Sequence, residues 1–395
     1  MSSGRRVVVT GMGAITAAGA GVEAFWRACI EGRSALRRLS GPDFACFGEP
    51  PAGAVAEPLP AGEERAAGLA AAAAAEAIAA AGYAGAGLPQ ASGIALGTCL
   101  GGARAVFSWM DAGRRGADRA RAPAPSPGWL ASPALRLASE YRLRGPVVSL
   151  SSACSSGAAA IAHASDCIRR GEADLMLAGG ADALSAFVVS GFWILRALTS
   201  TCVRPFDRRR DGLALGEGAG FVVLEDRAHA EARGVPSQAE ILGSGTAGDA
   251  HHMTGPSPTG DGALRAMWAA LREARLTPEC VEFISAHGTG TQQNDHMEAL
   301  AIKRLFGDRA ARVPVNSIKP IVGHTLGAAG ALDAILCVKV LQEGVLPPTI
   351  NGDEPDPDCD LEDIPRTARR QRVRCALSTS SAFAGHNVSL LLGMP

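Results

Sequence analysis

The sequence predicts a duplicated, layered α/β protein, and three observations carry that prediction. Strand and helix patterns alternate along the chain. The predicted strands are continuously apolar, as in sheets covered by helices on both faces. From about Gln238 the second half repeats the first in outline. Ala239-Glu240-Ile241-Leu242-Gly243-Ser244-Gly245 echoes Val7-Val8-Val9-Thr10-Gly11-Met12-Gly13. Val313-Pro314-Val315-Asn316-Ser317, followed by a helix over 323–336, echoes a strand and helix around Cys154.

Taken in order, 7–10 reads as a short buried strand and 11–21 as a glycine-rich turn into a helix over 22–30. Residues 37–63, rich in Pro, Gly and Glu, read as surface loop. Alanine-rich 64–81 predicts a helix on propensity. A buried strand over 92–96 ends in Gly97-Thr98-Cys99-Leu100-Gly101-Gly102. Residues 112–128, with Arg114, Arg115, Arg119, Arg121 and several prolines, predict an exposed excursion. Val147-Val148-Ser149-Leu150-Ser151-Ser152-Ala153-Cys154-Ser155-Ser156-Gly157 is an apolar run that turns through small residues into an alanine-rich stretch. It predicts a buried strand, a tight turn and a helix. Further strands are expected at 174–178 and 216–224.

Composition narrows the function classes. A chain of 395 residues buries a large core, as one domain or as two similar halves. With 47% hydrophobic and 19% charged residues it reads as a soluble globular protein. A net charge of −1 gives no global field towards nucleic acid or an anionic membrane. The ten cysteines show no CxxC pair or framework spacing, so they read as reduced thiols of a cytoplasmic protein, and no metal is expected. The first residues carry no signal-peptide pattern, and the longest apolar run, 67–81, is mostly alanine and too short to span a bilayer.

Chemistry concentrates in three segments. Cys154 falls where a strand turns into a helix, and the unpaired N–H groups and positive end of that helix favour thiolate. His287 lies in Ala286-His287-Gly288-Thr289-Gly290-Thr291, and His324 in Gly323-His324-Thr325-Leu326-Gly327-Ala328-Ala329-Gly330. One cysteine and two histidines on separate turns point to one site assembled from distant segments. The other histidines, 163, 229, 251, 252, 296 and 386, read as structural or exposed. Lysine occurs only at 303, 319 and 339, which draws notice to Lys319 in Asn316-Ser317-Ile318-Lys319-Pro320.

These segments resemble the β-ketoacyl-acyl carrier protein synthases, the elongating type II condensing enzymes of fatty-acid and polyketide synthesis. The resemblance runs from Val7-Val8-Val9-Thr10-Gly11-Met12-Gly13 to Phe383-Ala384-Gly385-His386-Asn387, and the family's Cys-His-His set falls on Cys154, His287 and His324. It implies the thiolase-like five-layer αβαβα fold in two similar halves, 1–237 carrying the nucleophile and 238–395 both histidines. It implies that Cys154 takes an acyl group from a carrier protein, with the N–H groups of Cys154 and Phe383 stabilising the oxyanion. His287 and His324 would then support decarboxylation of malonyl-carrier protein, and the resulting carbanion would attack the bound acyl group. Lys319 would orient the site, with Glu298 as its acidic partner unless Glu298 forms only a surface ion pair. Thr289 and Thr291 would hold the phosphopantetheine arm, which arrives on the carrier, so no cofactor of the enzyme's own is expected. Phe383 would gate the acyl pocket opposite the loop Asp249-Ala250-His251-His252-Met253-Thr254. Leu100, Phe192 and Trp193 would form its wall.

The segment before Arg204-Pro205-Phe206-Asp207 is short compared with the family's common form, and the chain departs more informatively in one place. Where the family usually reads Gly-Phe-Gly-Gly-Thr-Asn, this chain has Ala382-Phe383-Ala384-Gly385-His386-Asn387, which narrows the backbone freedom of a loop expected to swing. The departure hints at specialised polyene or polyketide work. The partner implied is an acidic acyl carrier protein, met by a basic rim of Arg204, Arg208, Arg209 and Arg210 with Arg37, Arg38, Arg114 and Arg115. The assembly implied is a homodimer, or a heterodimer with a non-catalytic chain-length factor. Such factors lack the active cysteine, so Cys154 places this chain on the catalytic side. A thiolase would need a second cysteine near its C-terminus, where only Cys375 stands, out of register. An initiating synthase would show Cys-His-Asn.

Overall fold

The computed structural model describes residues 4–41, 43–59, 64–83, 87–114 and 129–395. The arginine- and proline-rich excursion expected at 112–128 lies, from 115 onward, outside the described residues. The first half contributes strands β1 (Val7–Thr16), β2 (Gly93–Gly97), β3 (Val147–Leu150), β4 (Leu175–Asp182) and β5 (Gly218–Asp226). The second contributes β6 (Ala239–Gly248), β7 (Phe283–Ser285), β8 (Val315–Asn316), β9 (Cys375–Ala382) and β10 (His386–Gly393). Helices used below are α1 (Val22–Glu31), α2 (Arg65–Ala80), α3 (Ser132–Glu140), α4 (Ser156–Arg169), α5 (Ala186–Ile194), α6 (Asp261–Ala274), α7 (Gln292–Phe306) and α8 (Ala329–Glu343).

Among the described residues the strands join in one 11-stranded sheet, in the order β8-β7-β9-β10-β6-β1-β5-β4-β2-β3, with the short strand Gly19–Ala20 paired to β1. The seam is the antiparallel pair β1–β6, which sets Val7 opposite Ile241 and Val9 opposite Ala239. Read outward from the seam, the first half runs 1-5-4-2-3 and the second 6-10-9-7-8, the same order five strands later. In each half the parallel pairings are confined to the outer strands, β2 with β3 and β4, and β7 with β8 and β9.

The helices make three layers around this array. Helices α4 and α8 lie between the two half-sheets and share one apolar core with strands of both. Helices α2 and α3 cover the outer face of the first half, and α6 and α7 that of the second. The stack is therefore αβαβα.

Three sequence expectations need correction. Residues 11–16 are not a turn: β1 continues to Thr16 through Gly11 and Gly13. Those glycines serve close approach, because a Cβ on Gly11 or Gly13 would sit 2.1 or 2.0 Å from the carbonyl oxygens of Ala77 and Ala73 in alanine-rich α2. The second half repeats the device, for a Cβ on Gly243 or Gly245 of β6 would lie 2.3 or 2.1 Å from the Ala270 or Ala266 carbonyl oxygen of α6. The helix expected from 323 starts as an α-helix at Ala329, after a 3-10 turn over Leu326–Ala328, since Gly323 and Leu326 take positive φ values of 79° and 56° outside the α-helical region. Finally β3 is not fully buried. It is the edge strand, and Val147 is 38% exposed.

Gly13→Ala is expected to destabilise the fold by roughly 3 kcal/mol or more, because the Ala73 carbonyl is backbone and cannot move aside. Gly191→Ala, in α5 with nothing within 4 Å of its Cβ, is expected to be neutral or stabilising by about 0.5–1 kcal/mol. Denaturant midpoints of the two variants measure the contrast.

Candidate active site

After β3 the chain passes through Ala153, whose φ of 50° is unusual for a residue with a side chain, and reaches Cys154 just before α4. The turn is held by serines: Ser155 Oγ donates to Ser152 O at 2.8 Å, and Ser156 Oγ accepts from the Ser152 N–H at 2.9 Å. The thiol thus sits at the N-terminal end of a buried helix. It is held well below an ordinary thiol pKa, first by a hydrogen bond from the Cys99 thiol, against the opposing effect of burial, then by His324 and the Lys319 charge. The Cys99 thiol is pushed up in return.

His287 follows β7. Burial, then the Lys319 charge and His324, push its pKa well down, so the ring is neutral. Its Nδ1 is buried without a hydrogen-bond partner among the described residues. His324 lies in the turn before α8, where its Nδ1 accepts the Leu326 N–H at 3.2 Å, so in the neutral ring the proton resides on Nε2. The two rings meet edge to face with centroids 5.2 Å apart.

Cys154, His287 and His324 share a cavity of about 330 Å³ with Phe192, Thr254, Thr289, Thr291 and Phe383. The hydroxyls of Thr289 and Thr291 lie 2.9 Å apart. Phe383 stacks on Phe192, with centroids at 5.5 Å and planes 23° apart. The loop 249–254 adjoins it: the Ala384 N–H donates to Met253 O and the Asp249 N–H to Gly385 O, each at 2.8 Å. Ala384 itself is left-handed, with φ 62° and ψ 14°.

Several expected site residues lie elsewhere. Lys319 does not line the cavity. It is buried behind it, 3.5 Å from Asp333, which is the acid paired with it. Glu298 is neither on the surface nor at the cavity wall. Its buried carboxylate accepts the N–H groups of His287 and Gly288 at 2.7 and 2.8 Å and the Thr379 hydroxyl at 2.6 Å. Burial raises its pKa and those bonds lower it. It therefore positions the His287 turn from outside the cavity. Leu100 packs in a neighbouring apolar cluster and does not line this cavity. Trp193 is half-exposed against Phe47. Arg210 is no part of a basic rim, for it is buried and ion-paired to Asp356.

Sequence reasoning missed Cys99, Asp182 and Asp333. Asp182, fully buried at the end of β4, accepts from Thr98 Oγ1 and from the N–H groups of Cys99, Leu100 and Gly327 at 2.7–3.0 Å. The available signal was an acid in an otherwise apolar or glycine-rich stretch, as in Ala178-Gly179-Gly180-Ala181-Asp182 and in α8.

The Beta-ketoacyl synthase family matches the chain, its N-terminal domain over residues 4–61 and 64–230 and its C-terminal domain over 238–353. The chain is 37% identical over 425 residues to the tetracenomycin polyketide synthase ketoacyl synthase alpha subunit of Streptomyces glaucescens, spanning 99% of this chain and 97% of that one. Among solved structures it is similar to the ishigamide ketosynthase/chain length factor, with a TM-score of 0.91 and 37% identity over 99% of each chain. A type II polyketide ketosynthase in complex with its acyl-carrier protein matches with a TM-score of 0.90 and 31% identity, over 99% of this chain and 100% of that one.

Because the Cys154 pKa is lowered, its thiolate persists below the pH at which ordinary thiols, near pKa about 8.5, are protonated. Iodoacetamide alkylation of Cys154 is expected to stay fast below that pH, and Cys99→Ala to move the profile upward. A profile that Cys99→Ala leaves in place would remove Cys99 from the account. Ala384→Gly is expected to relieve about 1 kcal/mol of left-handed strain, read as a higher denaturant midpoint.

Proposed function

The chain belongs to the β-ketoacyl synthase family, and we propose that the cavity is its condensing site, with Cys154 as nucleophile. The enzyme is a β-ketoacyl-[acyl carrier protein] synthase, an acyltransferase that extends fatty-acid or polyketide chains. The observation that carries the assignment of residues is the convergence of Cys154, His287 and His324, from three separate turns, on one cavity.

In the first half-reaction the Cys154 thiolate attacks the carrier-bound acyl thioester, and the carrier thiol leaves. N–H groups of Cys154 and Phe383 stabilise the tetrahedral oxyanion, each worth roughly 3–4 kcal/mol in such sites. In the second, the malonyl arm passes Thr289 and Thr291, whose hydroxyls suit a neutral, amide-rich chain. Loss of carbon dioxide leaves an enolate, whose oxygen takes hydrogen bonds from neutral His287 and from His324 Nε2. Its carbon then attacks the Cys154 thioester, forming the carbon–carbon bond and returning the thiolate. The buried Lys319 charge favours both anions from behind. This reading assigns residues 1–237 the nucleophile and 238–395 the decarboxylating pair. It needs no cofactor beyond the phosphopantetheine that the carrier brings.

The second reading is a ketosynthase subunit working with a chain-length factor; the partly exposed edge strand β3 suits a partner of either kind. That pairing is the assembly named for the ishigamide structure. Either a second copy or such a factor would cover β3. Among the described residues no helix is long and apolar enough to cross a membrane. The free cysteines support a reducing, cytoplasmic setting.

Intact-protein mass spectrometry with a panel of acyl-carrier thioesters tests the mechanism. Wild-type protein is expected to gain an acyl group that Cys154→Ala does not. His287→Ala and His324→Ala are expected to lower condensation by about 100-fold or more while leaving acyl transfer measurable. Condensation at the native rate without Cys154 would refute the assignment. Loading that requires a co-expressed chain-length factor would select the second reading.

A further inference from the structure

Away from the condensing cavity, the Cys280 and Cys375 sulfurs lie 3.5 Å apart, in contact but unbonded. Cys280 closes the short 3-10 turn Pro278–Cys280 after α6 and is partly exposed, while Cys375 opens β9 and is buried. The backbone between them is fixed, since the Glu282 N–H donates to Cys375 O at 2.9 Å and Phe283 pairs with Ala376. The Arg309 guanidinium is locked across the turn by bonds to Pro278 O and Val281 O, both 2.7 Å, which sets a fixed positive charge beside Cys280. A partly exposed thiol, a cation and a second thiol in contact are the requirements for peroxide-sensitive pairing.

We propose that Cys280 and Cys375 form a redox-reactive dithiol, a modification site separate from the condensing centre, that hydrogen peroxide converts to a disulfide. The Cys280 thiolate attacks a peroxide oxygen, the O–O bond breaks, hydroxide leaves and Cys280 becomes a sulfenic acid. The Cys375 thiol then attacks that sulfur, its proton goes to the departing oxygen, and water leaves as the S–S bond forms. The two thiols lose two electrons in all, and peroxide gains them. The sulfurs must close from 3.5 Å to about 2.05 Å for the bond to form. The Cys280 pKa is lowered by the Cys375 hydrogen bond and then by Arg309, against burial, in keeping with its role as the attacking thiol. The crosslink would tie the starts of β7 and β9, the strands that lead to His287 and Phe383, at the ends remote from the cavity.

The test uses the full chain carrying Cys154→Ala, so that oxidation of the nucleophile does not intrude. A few equivalents of hydrogen peroxide should remove two hydrogens and yield one Cys280–Cys375 peptide link on digestion without reductant. Dithiothreitol should reverse both the link and an accompanying rise in thermal midpoint. Adding Cys280→Ser should abolish the link at an unchanged starting midpoint. Adding Cys375→Ser should halt Cys280 at a sulfenic acid that dimedone captures. Oxidation of other cysteines with Cys280 untouched, or a Cys280 sulfenic acid that persists while Cys375 is intact, would overturn the proposal.

Discussion

The site depends on a backbone contact between the N-terminal ends of the two central helices. A Cβ on Gly157, in the first turn of α4, would lie 2.6 Å from Gly327 O, and one on Gly330, in the first turn of α8, 2.7 Å from Ala158 N. Only glycine permits that approach, and it is what sets Cys154 beside His324 although 170 residues separate them in the chain. Two helix N-termini side by side are two positive dipole ends side by side. Each would be unfavourable beside the other alone, and together they favour whatever anion forms between them. A Cys154 thiolate, favoured by its lowered pKa, is such an anion, and in the proposed mechanism so is the enolate of the condensing step. The duplicated fold thus supplies the electrostatics, because the seam between β1 and β6 brings equivalent helix ends together.

Buried carboxylates then fix each reacting group on this frame. Asp182 joins the turn after β2 to the turn after His324, and Glu298 joins the His287 turn to β9 through Thr379. Asp333 pairs with Lys319. Removing a carboxylate from water costs several kcal/mol, and charge-assisted hydrogen bonds of about 1.5–3 kcal/mol each offset it. The net contribution to stability is small while the geometric restraint is large. That balance suits a site whose two halves arrive from opposite ends of the chain and must agree to within tenths of an ångström.

This division explains what was legible in the sequence. Cys154, His287 and His324 were readable because their residue types bear chemistry and their neighbours are small. Glycine, by contrast, has one letter for two uses. Gly11 and Gly13 read as a turn, yet they are strand positions where a helix lies too close for any side chain. The partners of Lys319 and of the His287 turn were hidden because pairing a buried acid is a long-range matter that spacing does not encode. Arg210 looked like its neighbours Arg208 and Arg209, and only packing reveals that it is inside. The apolar run of β3 reads the same whether helices or another subunit cover it, so its place at the sheet edge had no local signature.

The segment around Phe383 is where local rule and structure conflict, and the conflict carries meaning. Alanine at 384 occupies a left-handed conformation that glycine would adopt without strain. What holds it is the neighbouring loop, since Asp249 accepts from the Asn387 amide at 2.8 Å and from the Ser257 N–H at 2.9 Å, while its own N–H donates to Gly385 O. Moving the Phe383 backbone away from Phe192 therefore means breaking the bonds from Ala384 to Met253 and from Asp249 to Gly385, so the two loops are coupled. An alanine in place of glycine also removes intermediate backbone states, which leaves fewer positions between engaged and released. Phe383 and the loop 249–254 thus form one coupled element whose resting geometry is strained at Ala384.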